Sequence, residues 1–405
     1  MNQVIISKRA ELAVRGGGHP WIYGTEVKEF DGNIKNGDIV KVKTVKDKFL
    51  GSAFYNAESK ITLRMISFNA NDTFDENFWK RRCEYAVDYR LQVMKKEDYD
   101  CMRIVFGEAD QLPGLTVDRF GSVLSVQILS LGIELRKKVI LDNLITALRE
   151  KNLPVTAVYE RNDVSIRRLE GMEEYKGFYK SELLDEKDEV TNVRICENGI
   201  KYDVDIENGQ KTGFFLDQKF NRKAAGNIAK GKNVLDCFTH TGAFALNAAK
   251  SGAKSVTAID ISQHAVDMAT HHAEINELEN MKVVKADVFD YLTEQDKNHE
   301  HKYDYIILDP PAFTKSGSTV HSAFRGYKEI NYRAMKLLPR GGYLATCSCS
   351  HFMKEELFIK MLKEAARDAN VTLRLIESRM QSQDHPMIMT IPETFYLKFY
   401  IFQII

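Results

Sequence analysis

Apolar and polar positions change rhythm twice along the 405 residues. Up to about residue 75, apolar and polar residues alternate in short runs broken by turn formers, which is the rhythm of β-strands. Residues 39–43, 48–55 and 61–66 are the clearest of these runs. Residues 76–98 then place Phe78, Arg82, Tyr85 and Tyr89 at helical spacing,. A turn at 112–114 leads into a strand, residues 123–129 predict another, 133–150 a helix, and 158–161 a further strand. Residues 76–185 therefore form a small α+β unit, and the charged run 184–189 is the natural boundary after it. From about residue 190 strands and helices alternate. Strands are expected at 232–236, 255–260, 282–287, 303–309 and 341–347, and helices at 243–251, 263–276, 322–338 and 353–369. In the last helix Phe358, Met361, Leu362 and Ala365 share one face,. Such alternation predicts a mostly parallel sheet covered on both faces.

Composition narrows this picture only a little. With 44% apolar and 28% charged residues the chain is globular rather than disordered,. No run approaches 18 apolar residues and no signal-peptide stretch opens the chain, so a cytoplasmic protein with no membrane partner is expected,. Six cysteines are too few for a disulfide scaffold in a chain this long and suit a reducing compartment,. Formal net charge is zero, but residues 1–70 hold eleven Lys/Arg against seven Asp/Glu. That excess of about four is by itself no more than a solvated strand face.

The candidate chemistry sits in the β/α half. Asp236, Asp260, Asp287 and Asp309 follow one another at 24, 27 and 22 residues, each interval one βα unit. Each carboxylate thus falls near the carboxyl end of a strand, the edge where open α/β sheets bind ligands. A single such Asp is as readily a helix N-cap, whereas four in succession fit a site. The first turn, Asp236-Cys237-Phe238-Thr239-His240-Thr241-Gly242, has one glycine where a dinucleotide fold needs three,. An acidic rim without a pyrophosphate cradle suits a phosphate-free nucleoside bearing a positive charge. S-adenosylmethionine is such a nucleoside, so a methyltransferase is favoured over a dinucleotide oxidoreductase.

Asp309-Pro310-Pro311-Ala312-Phe313 then makes a stiff turn with two amide donors removed, able to grip a planar base or amine,. Thr346-Cys347-Ser348-Cys349-Ser350-His351 closes the fifth strand at the same edge. A thiol there suggests covalent catalysis. Addition of a thiolate to C6 of a pyrimidine turns C5 into a carbon that can accept a methyl group. Cys347 lies within the strand and is equally readable as an inert core residue, whereas Cys349 lies past its end. No Cys/His cluster of zinc spacing accompanies the pair, so no metal is expected,.

At these residues the sequence resembles the bacterial large-subunit (23S) ribosomal RNA cytosine-5 methyltransferases that carry an N-terminal PUA domain. The resemblance runs through Gly18-His19-Pro20-Trp21-Ile22-Tyr23, residues 107–119 and 211–222, the Asp-Pro-Pro-Ala-Phe turn, residues 325–331, Ser348-Cys349-Ser350 and Asp384-His385-Pro386. It implies a PUA RNA-binding β-barrel at 1–72, a central α+β domain at 73–185 and a class I methyltransferase domain at 186–405. The last would be Rossmann-like, α/β, with a seven-stranded mostly parallel sheet. The methyl donor would be S-adenosylmethionine and the partner ribosomal RNA.

Carried over residue by residue, Cys349 looks like the nucleophile and Asp309-Pro310 the base-gripping turn. Asp236, Asp260 and Asp287 look like cofactor contacts, with Gly242, Ile261 and Val288 beside them. Gln218, Phe220 and Arg222 fall in the stretch leading to the pocket. Thr346-Cys347 also resembles the Thr-Cys of the two-cysteine RNA enzymes, but Ala312 stands where those have their second cysteine, so either thiol remains a candidate. With RNA as ligand, the basic N-terminal segment becomes a phosphate-contacting face. His19 and Trp21 become candidates for base stacking, although Trp21 as a core anchor is the simpler reading. Lys315, Arg325 and Lys328 become backbone contacts, and His385 a candidate proton acceptor. Methylation of an exocyclic amine or of uracil C5, or a non-catalytic assembly role, are the rivals. Oligomeric state is open, a homodimer included.

Overall fold

The computed structural model describes residues 2–297, 302–314 and 316–405 and resolves them into two compact units. The first comprises Met1–Ile195, Asp203–Leu216 and Gln383–Thr394; the second comprises Cys196–Tyr202, Asp217–Ser382 and Phe395–Ile405.

The first unit opens with a six-stranded sheet in the order Trp21–Ile22, Leu63–Ser67, Phe49–Tyr55, Ile39–Thr44, Gln3–Ile6, Val27–Asp31. Alternation works as expected: Val40, Val42 and Thr44 are buried while Lys41 and Lys43 keep contact with water,. Helix Lys8–Gly17 is a departure from the all-strand expectation for this segment. Ala10 and Val14 pack into the core of the sheet. Ser7 caps the helix, its Oγ accepting the Ala10 N–H at 3.2 Å,. Gly16-Gly17-Gly18 closes the helix: Gly18 takes φ +62° and donates its N–H to Val14 O,.

A five-stranded sheet follows, ordered Tyr175–Phe178, Ala157–Asn162, Val123–Ile128, Leu115–Phe120, Cys101–Phe106. Helices Glu76–Val93 and Lys137–Glu150 accompany it. The first ends five residues before the expected 98, because Met94 turns to extended backbone. The helix expected over 133–150 is two, Leu131–Glu134 and Lys137–Glu150.

The second unit is built on a seven-stranded sheet. In chain order its strands are Asn233–Cys237, Ser255–Asp260, Met281–Lys285, Tyr305–Leu308, Tyr343–Ser348, Leu373–Arg379 and Lys398–Ile404. Their order across the sheet is third, second, first, fourth, fifth, seventh, sixth. The first five are parallel, and the seventh runs antiparallel between the fifth and sixth. Strand order therefore reverses between the first and fourth strands, the crevice where such sheets take ligands. Strands Asn233–Cys237 and Tyr305–Leu308 are almost wholly buried, as a sheet covered on both faces requires,. Among the described residues no helix is long and apolar enough to cross a membrane.

In the turn before strand Leu115–Phe120, Gly114 takes φ +80° with its α-carbon against the backbone of 129–130. A Cβ there would lie 2.9 Å from Ser130 Cβ and 3.0 Å from Ser130 N. Gly114→Ala combines left-handed strain with a backbone clash and should destabilise the chain by roughly 2–4 kcal/mol. Urea unfolding measures this, and a loss under about 1 kcal/mol would show that the turn relaxes freely.

Candidate active site

Three loops leave the carboxyl ends of the first, second and fourth strands of the second unit and bring acids together at the switch point. Asp236 is the penultimate residue of strand Asn233–Cys237 and is fully buried. Its Oδ2 accepts from Thr239 Oγ1 at 2.5 Å and from the Ala245 N–H at 3.0 Å, anchoring helix Ala243–Lys250. Its Oδ1 has no protein partner among the described residues, nor has the buried Thr241 Oγ1. Burial pushes the Asp236 carboxyl up to about 7, with the neighbouring Asp309 adding to the rise,.

The loop itself, residues 238–242, uses left-handed backbone three times: Phe238 at φ +61°, His240 at +50° and Gly242 at +85°. Only Gly242 does so without steric cost. It is also where space forbids a side chain, since a Cβ would meet Ala269 Cβ at 3.0 Å. The loop thus makes a glycine-type turn with two non-glycine residues, a strain of the kind found at functional sites.

Asp260, at the end of the second strand, accepts the His240 N–H on Oδ2 and the Ser262 N–H on Oδ1, both at 2.9 Å. Ile261 beside it is 63% exposed, a large apolar side chain left uncovered next to a carboxylate. Asp287 caps helix Val288–Lys297, its Oδ1 accepting from Phe289 N and Asp290 N. The Val288 side chain belongs to the core.

At the end of the fourth strand, Asp309 is partly buried. Gln218 Nε2 donates to its Oδ1 at 3.2 Å and Cys347 Sγ donates to the same oxygen at 2.9 Å. Burial pushes this carboxyl up to about 6. The same burial, together with the Asp309 charge, pushes the Cys347 thiol well above its ordinary value, so it stays a neutral donor,. Cys349 is the first residue past strand Tyr343–Ser348 and is partly exposed.

Gln218 is buried and orients Asp309. Phe220 is partly buried. Arg222 is spent on a buried two-pronged pair with Glu197 at 2.7 and 2.8 Å. Arg325 is exposed, whereas Lys328 is held by Asp368 at 2.6 Å. Lys315 lies outside the described residues. In the first unit, Trp21 Nε1 donates to Glu108 at 2.8 Å, Arg64 lies over its ring, and His19 reaches Glu393 at 3.2 Å. His385, also in the first unit, is buried with Nδ1 2.9 Å from Asp384 Oδ1.

The sequence reading missed an aromatic trio. Phe238, Phe289 and Phe313 stand 6.1–6.5 Å apart, ring centre to ring centre. Each follows a strand-end acid by two to four residues, a spacing that was there to be read.

Acids closing successive parallel strands, buried polar atoms awaiting a partner and an uncovered apolar side chain next to Asp260 fit a nucleoside cofactor. They define a class I, Rossmann-like methyltransferase site. The chain belongs to the S-adenosylmethionine-dependent methyltransferases, in the family of the ribosomal RNA large subunit methyltransferase I proteins. The S-adenosylmethionine-dependent methyltransferase family model matches residues 127–399, and a PUA-like domain model matches 4–68. Ribosomal RNA large subunit methyltransferase I of Aeromonas hydrophila is 41% identical over 383 residues, 94% of each chain. Its counterpart in Alteromonas mediterranea is 38% identical, covering 98% of this chain and 97% of that one. The same fold, at 22% identity and a TM-score of 0.82 over the whole of both chains, occurs in a methyltransferase crystallised with SAH.

Asp236 carries a testable consequence. Its folded value near 7 lies above the unfolded carboxylate value near 4, so the folded state holds the extra proton. The stability this lends is complete below about pH 4 and lost as pH rises through 7. Asp236→Asn removes the titration. Wild type should lose roughly 2–4 kcal/mol more than the variant between pH 4.5 and 8. Parallel urea midpoints for the two proteins would refute it.

Proposed function

We propose that the protein methylates C5 of a cytosine in large-subunit ribosomal RNA through a covalent bond between Cys349 and C6. The names and extent of the relatives support the RNA class, and the PUA-like match supports RNA binding by the N-terminal segment. The single observation that carries the mechanism is the division of labour between the two thiols. Cys347 is buried and neutral, its S–H donating to Asp309 Oδ1, while Cys349 stands partly exposed one residue past the sheet.

In this reading residues 1–72 form the RNA-binding domain, 73–185 the central domain and 186–405 the catalytic domain of a cytoplasmic enzyme. Asp236, Gly242, Asp260 and Asp287 hold the cofactor, and Ile261 lies against its base. S-adenosylmethionine supplies a methyl group on a positive sulfonium. The chain's own residues do the rest. Asp309, rigidly followed by Pro310, offers Oδ2 to the base edge because both of its protein contacts fall on Oδ1. With its carboxyl near 6, it can share a proton with the ring nitrogen as charge builds there,. The Cys349 thiolate bonds to C6, and the C5=C6 electron pair becomes available at C5. Once C5 carries its methyl, water takes the C5 proton, the C5–H electron pair restores the C5=C6 double bond, and the C6–S bond breaks to release the Cys349 thiolate. Arg325, exposed on the helix after the Pro-Pro turn, is the contact for substrate phosphates,.

Ribosomal RNA carrying 5-fluorocytosine tests this. Fluorine cannot leave as a proton does, so the adduct persists. Wild type and Cys347→Ala should form a complex stable to denaturing electrophoresis, and Cys349→Ala should form none. Full turnover by Cys349→Ala would hand the function to methylation of an exocyclic amine. A complex with Cys349→Ala but not Cys347→Ala would transfer the role to Cys347.

A further inference from the structure

One buried cation beside the thiols has no part in the chemistry so far. Lys398 opens the seventh strand and lies opposite Ser348 in the antiparallel register. It is 8% exposed. Its Nζ donates to Ser350 O at 2.7 Å and to Tyr396 O at 2.8 Å. Two of its three protons are thereby spent on neutral carbonyls, and among the described residues no carboxylate stands within ion-pair distance. Glu355, on the neighbouring helix, accepts the Tyr400 hydroxyl instead. A buried ammonium without a counter-ion is costly, and burial lowers this one to about 8,. An anion near it would offset that cost.

The charges that bear on the cation are those of Cys349 and Cys347, at the end of the fifth strand and within it, and of Glu355 on helix Glu355–Asp368, each of which favours its charged form. Tyr327, from helix Val320–Leu337, feels Cys349 and accepts from Ser348 Oγ at 3.0 Å. Of these, Cys349 is the partly exposed thiol at the active edge. Geometry adds a second role. Ser350 follows Cys349 directly, and its Oγ donates to Thr314 O at 2.9 Å. Lys398 and Thr314 together fix the backbone immediately beyond the thiol.

We propose that Lys398 is a positioning residue for Cys349: its ammonium pins the Ser350 carbonyl and supplies the positive charge that holds the Cys349 thiolate. This rests on Cys349 being the nucleophile, which the fluorocytosine experiment settles separately. The proton leaving Cys349 goes to solvent; Lys398 keeps its own.

The test needs no RNA. Iodoacetamide alkylation of the full chain is followed by peptide mass spectrometry from pH 6 to 10, with exposed Cys196 as internal reference. Lys398→Gln keeps a donor for the carbonyl and removes the charge, Lys398→Met removes both, and Lys398→Arg keeps the charge. In the neutral variants the Cys349 midpoint should rise by about one pH unit, or roughly tenfold slower alkylation at pH 7. Lys398→Arg should restore the wild-type midpoint, and Cys196 should not move in any variant. An unchanged Cys349 midpoint in a neutral variant with wild-type circular dichroism overturns the proposal. If neither neutral variant folds, Lys398→Arg decides: a midpoint raised there as well overturns it. Trapping by fluorocytosine RNA with an unmoved midpoint would leave the nucleophile standing and remove only Lys398.

Discussion

Everything at the site depends on two carboxyl groups, one fully and one partly withdrawn from water, where the strand order of the sheet reverses. Asp236 and Asp309 stand at the ends of the two strands that flank the crevice, and the Asp309 charge raises the cost of charging Asp236. Arg222 partly offsets the rise at Asp309, but its guanidinium is hydrogen-bonded to Glu197 rather than to either acid. The protein therefore carries an energetic debt at neutral pH that a positively charged ligand can relieve. A sulfonium cofactor brings such a charge, whereas a dinucleotide would bring more negative charge. The choice of cofactor thus follows from electrostatics as much as from fold.

The same shortage of counter-charge sorts the two cysteines. Cys347 lies one residue inside the fifth strand's last position, where burial and Asp309 forbid a thiolate. Its proton becomes a structural donor that steers the carboxylate. Cys349 lies two residues on, past the edge, within reach of the electrostatic influence of Lys398. Alternation along a strand gives both side chains the same face, and distance from the sheet edge gives them different chemistry.

Much of the β/α half is legible in the sequence because a βα unit has a nearly fixed length. The strand-end acids at 24, 27 and 22 residues fall where the sheet needs them, and Asp287, expected on a strand, stands two residues past one. Other parts were not legible, for identifiable reasons. Strand Lys398–Ile404 is built on the short apolar run 399–402, which periodicity cannot distinguish from buried helix,. Its partner Leu373–Arg379 leaves Leu375 and Ile376 exposed at the sheet edge and carries a register irregularity that breaks alternation,. Helix Lys8–Gly17 did announce itself by Ser7 at one end and Gly18 at the other, but too few of its residues are apolar for a stripe to show. The Gln218–Asp309 contact joins residues 91 apart, and no local pattern encodes it.

Phe238 faces two demands that no one amino acid meets fully. Its backbone, at φ +61°, is most comfortable as glycine, and its ring completes the trio with Phe289 and Phe313. Relaxing the turn would dismantle the trio, and keeping the trio perpetuates the strain. The position is therefore a trade-off frozen into the chain, where a change that firms up the backbone costs ring packing and tolerance to substitution should be lowest on this loop,.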